Sequence, residues 1–511
     1  MLYLLACLAP PSPVEEGEGP IDTDRVVLNE VVVRNQSTWD DGASSFPDWV
    51  ELYNAGPTPV DLSRLSLHDG AGVWHGEGGL QPGDRVLVPL GVDAPFRLGG
   101  GETLTLVGPD GVLDRLELGD PGPDVAWARH PDGGAWAETV WTTPDATNPD
   151  TPSPSLDPSE RAFGPYKLHT VDIVLSSEAV ASLLVERLAW VQGEVTLDGL
   201  RYGPVALRLK SEHGSRRELG EKPGWKIDLN EYADLRWHGQ KGLTLNNVVQ
   251  DPTYLREHLT YTLFRTLGIP APRVGWASVT VNGEPYGVSV LVETVDDAFL
   301  GRWYDDPTGA LYEGSYGVDL LPGHELDFEY DRGPDPDDRS DLTAVIDVLA
   351  GPADDAGMAR LEGLVNVEAL LTYLAAETLA LHWDGYRNTN NYRLYHEPGG
   401  RLEMLPWGTD NTFGAMPVSP WVGRGILLRF CMTNPTCRGR FDARLVEVAD
   451  RLDDLALVDE LRDLDAWLRP AIAADPKREF EMYRHDVAIE ETTWRLSSWP
   501  DEVRAQVAFW R

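Results

Sequence analysis

Residues Asp384–Gly414 read DGYRNTNNYRLYHEPGGRLEMLPWGTDNTFG, with carboxylate and amide side chains on two short loops either side of an apolar, strand-like run. Asp, Asn and Gly are turn formers, so one reading of these loops is purely structural. The other follows from their donor chemistry. Mg²⁺ is a hard cation that takes oxygen ligands, commonly one or two protein groups, with water and phosphate completing its octahedron. Asp384, Asn391 and Asp410 offer a base and two such ligands, which makes the stretch a candidate magnesium–nucleotide site.

Composition sets the frame for that candidate. A chain of 511 residues exceeds one ordinary core and points to two or three units, of which two is the reading adopted. The hydrophobic fraction is 42% and there are 18 Trp, ample for packed domains. A net charge of −40 repels polyphosphate backbones and argues against nucleic-acid partners, which need Lys and Arg to neutralise phosphates. Only six of the 43 basic residues are Lys, and four of them, Lys210, Lys222, Lys226 and Lys241, fall close together. A lysine retained in an Arg-rich chain suits a place that needs a compact point charge, such as a phosphate contact; chance clustering stands beside that reading.

Among three cysteines, Cys7 closes MLYLLAC, whose Leu4-Leu5-Ala6-Cys7 resembles a bacterial lipobox. Residues 1–23 then read as a signal remnant and an acidic tether, and lipid on Cys7 would attach the protein to a membrane. The remnant is shorter than a full secretory signal. No other run reaches the length of a membrane-spanning helix. Cys431 and Cys437 flank MTNPT and either form a disulfide, which export would permit, or remain two free thiols.

From residue 24 to 148 short apolar runs such as VVLNEVVV, DWVELYN, RVLVPL and ETLTLVG alternate with Gly, Pro and Asp, the spacing of a small antiparallel β-sandwich. LNEVVVRNQS, FPDWVELYNAGPTPVDLSRLSLHD and ARHPDGGAWAETVWTTPDATN resemble the lamin-tail domain, through Asn29, Glu30, Asp48, Trp49, Glu51 and Asn54. The resemblance implies an immunoglobulin-like sandwich that binds or spaces. Residues 149–165 are a Pro-rich linker.

Beyond it, residues 166–511 begin β-rich and end helical. Within the β-rich part, Leu255, Leu259, Leu263 and Leu267 recur at helical spacing, with Asp251 as cap, Pro252 in the first turn and Gly268 as the stop. A β-rich lobe with one helix, followed by a helical lobe, is also the layout of protein kinases. Phosphoryl transfer asks for a cation on the phosphates, oxygens on Mg²⁺ and an Asp near the acceptor hydroxyl. The order Asp384, Asn391, Asp410-Asn411-Thr412-Phe413-Gly414 follows the kinase order, with different spacing.

GLTLNNVVQDPTYLREHLTYTLFRTLGIPAPRVGWASVTVNGEPYGVSVLVETVDDAFL, WDGYRNTNNYRLYHE and LPWGTDNTFG together resemble the CotH family, the spore-coat protein H kinases. That resemblance implies an atypical kinase-like α+β fold that uses ATP and Mg²⁺ to phosphorylate Ser or Thr of secreted or surface proteins. It assigns Asp384 as the catalytic Asp and Asn391 and Asp410 to the metal. Lys226 becomes the leading phosphate-binding residue, with Arg208 and Lys210 behind it. Glu293 falls where the lobes would join, to contact nucleotide or to cap a helix. Glu257 would pair with Lys226 or lie on a solvated helix face. Two departures stand out: Gly408 occupies a place where the family commonly has Asp, and SEHGSRRELGEKPG differs from its usual Arg-Gly-Asn-Ser wording. The expected function is therefore a secreted or surface-attached kinase. The alternatives are a non-catalytic adhesion or scaffold protein on an inactive kinase-like fold and, least favoured, a sugar-binding surface protein.

Overall fold

A computed structural model describes residues 26–210, 214–414 and 419–510. The Cys7 lipobox and the tether lie outside the described residues. Backbone contacts divide the chain into two compact units, the first ending at Arg161 and the second running from Ala162 to Arg511.

The first unit is all-β. One sheet orders the strands Ala135–Thr139, Ala126–His130, Val26–Val32, Trp49–Asn54 and Arg85–Pro89, and a second orders Val73–His75, Ser66–His68, Thr103–Gly108 and Gly111–Glu117. Alternating residues of both sheets bury Leu28, Val50, Leu52, Leu67, Leu104 and Leu106 in one core, as period-2 side chains require. A bulge interrupts this alternation. Leu28 faces Leu52 in the antiparallel ladder, Asn29 is passed over, and Glu30 then faces Glu51. An extra residue in one strand re-aims the side chains beyond it, here bringing two acids face to face.

In the second unit, seven strands close a barrel in the order Leu168–Leu175, Val191–Leu197, Leu200–Leu209, Trp225–Asp228, Gly242–Asn246, Glu284–Glu293 and Val274–Val281. Closure is made by a parallel pairing of the first and last of these. The helix Arg256–Thr266 interrupts the strands as its leucine spacing predicts, and Leu255, Leu259, Leu263 and Phe264 are buried. Its start lies later than the sequence suggests. Asp251 accepts from the backbone N–H of Thr253 (2.8 Å) and Arg256 (2.9 Å), so Pro252 belongs to a turn ahead of the helix. Gly268 follows the helix at φ +76°, the left-handed stop that glycine permits.

Beyond the barrel, Glu329–Arg332, Ala310–Gly314, Tyr392–His396 and Leu402–Pro406 form a second sheet, surrounded by helices that include Val367–Leu379, Leu457–Ala474 and Met482–Trp510. The apolar core runs without a break from the barrel strands into these helices. Cys431 and Cys437 are joined by a disulfide. No helix among the described residues is long and apolar enough to cross a membrane.

Candidate functional site

The hairpin Tyr392–His396 with Leu402–Pro406 explains how the two loops of the opening stretch meet. Its register sets Tyr392 opposite Pro406, so Asn391, just before one strand, and Trp407–Asp410, just after the other, emerge side by side. The Asn391 amide donates to the backbone carbonyl of Asp384 at 2.9 Å and to its carboxylate at 3.2 Å, and Asn390 donates to the second carboxylate oxygen at 2.9 Å. The Asp384 side chain is thus held in a fixed orientation by two amides.

Support comes from beneath. Arg387 is buried and donates to Thr378 at 2.8 Å and to the carbonyls of Pro420 (3.1 Å) and Ser419 (2.6 Å), pinning the loop to the helix Val367–Leu379. A Cβ on Gly385 would lie 2.1 Å from Glu377 Oε1, so only glycine fits there. Leu381, Thr389, Asn391 and Phe413 all adopt left-handed backbone near φ +50°. Non-glycine residues in that region store strain, and such strain concentrates where a fold positions function.

Asp410 meets the barrel through the helix Arg256–Thr266. Thr260 and Thr412 share a hydrogen bond of 2.8 Å, which sets the 409–414 loop beside Glu257. Glu257 is buried; its Oε2 accepts from Asn246 at 2.6 Å, whereas Oε1 has no partner. Burial first, then the charge of Asp410, pushes the Glu257 carboxyl up to about 8, with Lys210 opposing. Burial likewise raises Asp410 to about 6, with Lys210 opposing and Asp251 and Asp384 adding to the rise. Burial, together with the neighbouring carboxylates, opposes the ionisation of Glu257 and Asp410.

Positive charge gathers on the adjoining barrel wall. Arg208 and Lys226 are paired residues on neighbouring strands. Burial, followed by Arg393, Arg208 and Lys210, depresses the Lys226 ammonium to about 8. The Lys226 side chain makes no hydrogen bond or ion pair among the described residues and lines a cavity of about 440 Å³, with Trp190, Arg208, Arg393, Trp407 and the Thr294–Asp297 segment also on its walls. Trp407 links the two clusters: the Lys210 ammonium lies 5.8 Å and the Arg393 guanidinium 4.6 Å from its ring. Lys210 also donates to Asn246, the residue that holds Glu257.

Placed residue by residue, the sequence candidates divide. Asp384, Asn391, Asp410 and Lys210 come together, and Lys226 and Arg208 share the neighbouring cavity wall. Glu293 stands apart. It is 1% exposed and its carboxylate is saturated by Arg273 (2.8 Å) and Arg302 (2.6 and 2.7 Å). Burial opposes its charge, yet the two guanidinium groups hold it below the usual carboxylate range. It therefore serves as an ion-pair anchor at the end of its strand, with no oxygen left for a nucleotide. Glu257 also departs from both expectations: it is neither solvated nor ion-paired with Lys226. The cation that opposes its rise is Lys210, which follows the strand Leu200–Leu209, whereas Lys226 lies within the strand Trp225–Asp228.

The sequence reading missed Trp407, Arg393 and Asn246. The first two stand inside the opening stretch, and the cue for Asn246 was a pair of amides closing an apolar strand, LTLNN. The structure also explains Gly408. A Cβ there would lie 2.8 Å from Asn391 Oδ1, and φ is +55°. No carboxylate fits at this position while Asn391 keeps its place.

The donor set suits a hard cation. No three His, Cys, Asp or Glu side chains converge closely enough among the described residues to hold one by themselves. Asp410 and Asn391 would leave the remaining positions to water and phosphate, the usual coordination of Mg²⁺. The unpartnered Glu257 Oε1 and the raised Asp410 are what such a cation would relieve.

A family model described as CotH kinase protein matches residues 211–506, more than half of the chain. Inner spore coat protein H of Bacillus subtilis is 26% identical over 199 residues, covering 36% of this chain and 54% of that protein. Invasin CotH2 of Rhizopus delemar is 24% identical over 221 residues, 40% of this chain and 37% of that protein. This chain therefore spans about half or less of the curated relatives it matches. Among solved structures, Shewanella oneidensis HipA in its complex with HipB and operator DNA is 13% identical with a TM-score of 0.28, covering 66% of this chain and 74% of that one. The Helicobacter pylori proinflammatory kinase CtkA is 9% identical with a TM-score of 0.25, covering 56% and 94%. Similarities this slight carry no argument about the site.

Proposed function

The chain belongs to the CotH kinase protein family, and on that premise we propose that it transfers the γ-phosphate of ATP to Ser or Thr hydroxyls of secreted or surface proteins. One observation carries this reading. Lys210 opposes the acid cluster of Asp410 and Glu257 beside Asp384, and Lys226, Arg208 and Arg393, the last ion-paired to Glu313 and Asp331, gather on the adjoining wall of a chain of net charge −40. Cations beside a crowded acid cluster fit a polyphosphate together with its divalent ion.

In this reading Asp384, oriented by Asn390 and Asn391, accepts the proton of the acceptor hydroxyl. Asp410 and Asn391 hold Mg²⁺, which when bound supplies charge neutralisation for the phosphates. Lys226 and Arg208 face the phosphates from the barrel wall. Lys210 stands between them and Glu257, which makes it the stronger candidate for linking phosphate to the helix Arg256–Thr266. The names of the relatives and the Cys431–Cys437 disulfide support a secreted or surface location, with lipid on Cys7 as the proposed attachment. The first unit, proposed to be of lamin-tail type, would localise the kinase.

A non-catalytic scaffold is the competing reading, and Gly408 is the observation that favours it. Nucleotide binding separates the two. A ligand that binds only the folded state at 100 times its Kd stabilises by about 2.7 kcal/mol. Millimolar Mg-ATP is therefore expected to raise the melting temperature of the full chain by several degrees in a thermal-shift measurement. An unchanged melting temperature would sink the kinase reading.

A further inference from the structure

The loop between the paired strands Leu200–Leu209 and Trp225–Asp228 is closed at its base by Lys210 N–H donating to Gly224 at 2.8 Å. Lys210 opens this loop and Lys226 follows it, so its position bears on both lysines of the anion wall. A hairpin loop ordinarily rests on its own strands. The far side of this one is held instead by residues some 250 positions later, in the connection between the helices Leu457–Ala474 and Met482–Trp510.

Three side chains of that connection make the grip. Buried Asp475 accepts from Lys222 Nζ at 2.5 Å and from the Val288 N–H at 3.0 Å. Lys477 donates to the Gly220 carbonyl at 3.0 Å, pairs with Glu284 at 2.7 Å and stands 3.6 Å from the ring of Tyr286. Tyr286 in turn donates to Leu219 O at 2.5 Å. Glu479 takes the Arg217 guanidinium through both oxygens, Nε at 3.2 Å. The approach is so close that a Cβ on Gly287 would lie 1.8 Å from Asp475 Oδ1. Asn247 completes the hold from below, donating to the carbonyls of Ser215 and Lys222 at 2.8 Å each.

We infer that the connection Asp475–Glu479 is a clasp that sets the position of the 214–222 loop and thereby presents the nucleotide phosphates to Lys210 and Lys226. The inference rests on the kinase reading for its consequence, although the clasp itself does not. Asp475, Lys477 and Glu479 are positioning residues: they touch the loop and no reacting atom. A loop released from the clasp populates its competent position only part of the time, and apparent affinity falls by that fraction.

The test uses the full chain with Glu479→Arg, Asp475→Asn and the charge swap Arg217→Glu/Glu479→Arg. Hydrogen exchange of the 214–222 amides is expected to quicken about tenfold in each single variant, as local opening becomes easier, and to return toward wild type in the swap. Unchanged exchange in Glu479→Arg, whose pair lies at the surface and leaves the core intact, would overturn the clasp even if Asp475→Asn fails to fold. In steady-state transfer, KM for Mg-ATP is expected to rise about tenfold with kcat within twofold of wild type, a loss of ground-state binding. A fall in kcat at unchanged KM would overturn the positioning role. If the wild-type chain binds no Mg-ATP, the kinase reading fails, and the exchange measurement still decides the clasp.

Discussion

Each unit holds a pair of neighbouring acids, Glu30 with Glu51 in the first and Glu257 with Asp410 in the second, and the pairs differ in what satisfies them. In the first unit Glu30 accepts from the Thr143 N–H at 3.1 Å and its hydroxyl at 3.2 Å, and Glu51 accepts from Asn29 and the Asp145 N–H at 2.8 Å each. Burial, with the facing acid adding to it, pushes Glu30 up to about 8, and burial raises Glu51 to about 7. In the second unit Glu257 is raised as far as Glu30, yet one of its oxygens has no partner and unpaired Lys226 lines the cavity nearby. A raised carboxyl alone thus marks burial. What marks a candidate site is a raised carboxyl with unmet donors and acceptors around it, because unmet groups leave work for a ligand.

The contrast breaks most sharply under substitution of one acid in each unit. Asp410→Ala is expected to lower metal-dependent phosphate transfer by about 10³-fold or more, with circular dichroism and melting little changed. Glu51→Gln should leave transfer untouched. Equal transfer by Asp410→Ala and wild type would show that the metal has been misplaced.

Smaller in effect, pH separates the pairs through stability. A carboxyl whose folded value is raised holds its proton more tightly when folded, so its contribution is fully present below the unfolded value of 4.5 and is lost as pH rises through about 8 for Glu30. The first unit should therefore lose on the order of 3 kcal/mol of stability between pH 5 and pH 8. Glu30→Gln, neutral throughout, should flatten that slope in denaturant melts of the full chain. A slope identical in variant and wild type would show that the hydrogen bonds from Thr143 already hold the charged form.

The smallest expected effect comes from supplying the acid that the family commonly has. Gly408→Asp adds a carboxylate at a left-handed backbone position against Asn391, and should cost about 1–3 kcal/mol in thermal melts without raising transfer. A gain in transfer would mean that Asn391 moves aside readily, and that the acid cluster is less complete than its geometry suggests.

Much of the scaffold was legible because its signals are local. Period-2 alternation announced the strands of the first unit, and the leucine spacing from Leu255 announced the barrel's helix. The Asp384–Gly414 stretch named its own turns and strands. Its site residues were partly legible for the same reason: Asp384, Asn391 and Asp410 are brought together by one hairpin. Long-range partners were not. By analogy of order Glu257 either pairs with Lys226 or lies on a solvated helix face, whereas it is buried with Lys210 as the opposing cation. Glu293 is closed off by Arg273, just before the neighbouring strand Val274–Val281, and by Arg302 on the helix Asp297–Trp303.

By itself, then, the sequence determined the kinds of element, their order, the family motifs and the candidate residues of the Asp384–Gly414 loops, since each depends on neighbours within a few positions or on a single hairpin. Only the tertiary structure decided which lysine meets the acids, why Gly408 has no room for a carboxylate, and that a segment near the C-terminus holds the loop between Lys210 and Gly224. Those outcomes turn on barrel register and burial, which set distances and charge balance between residues as many as 262 positions apart.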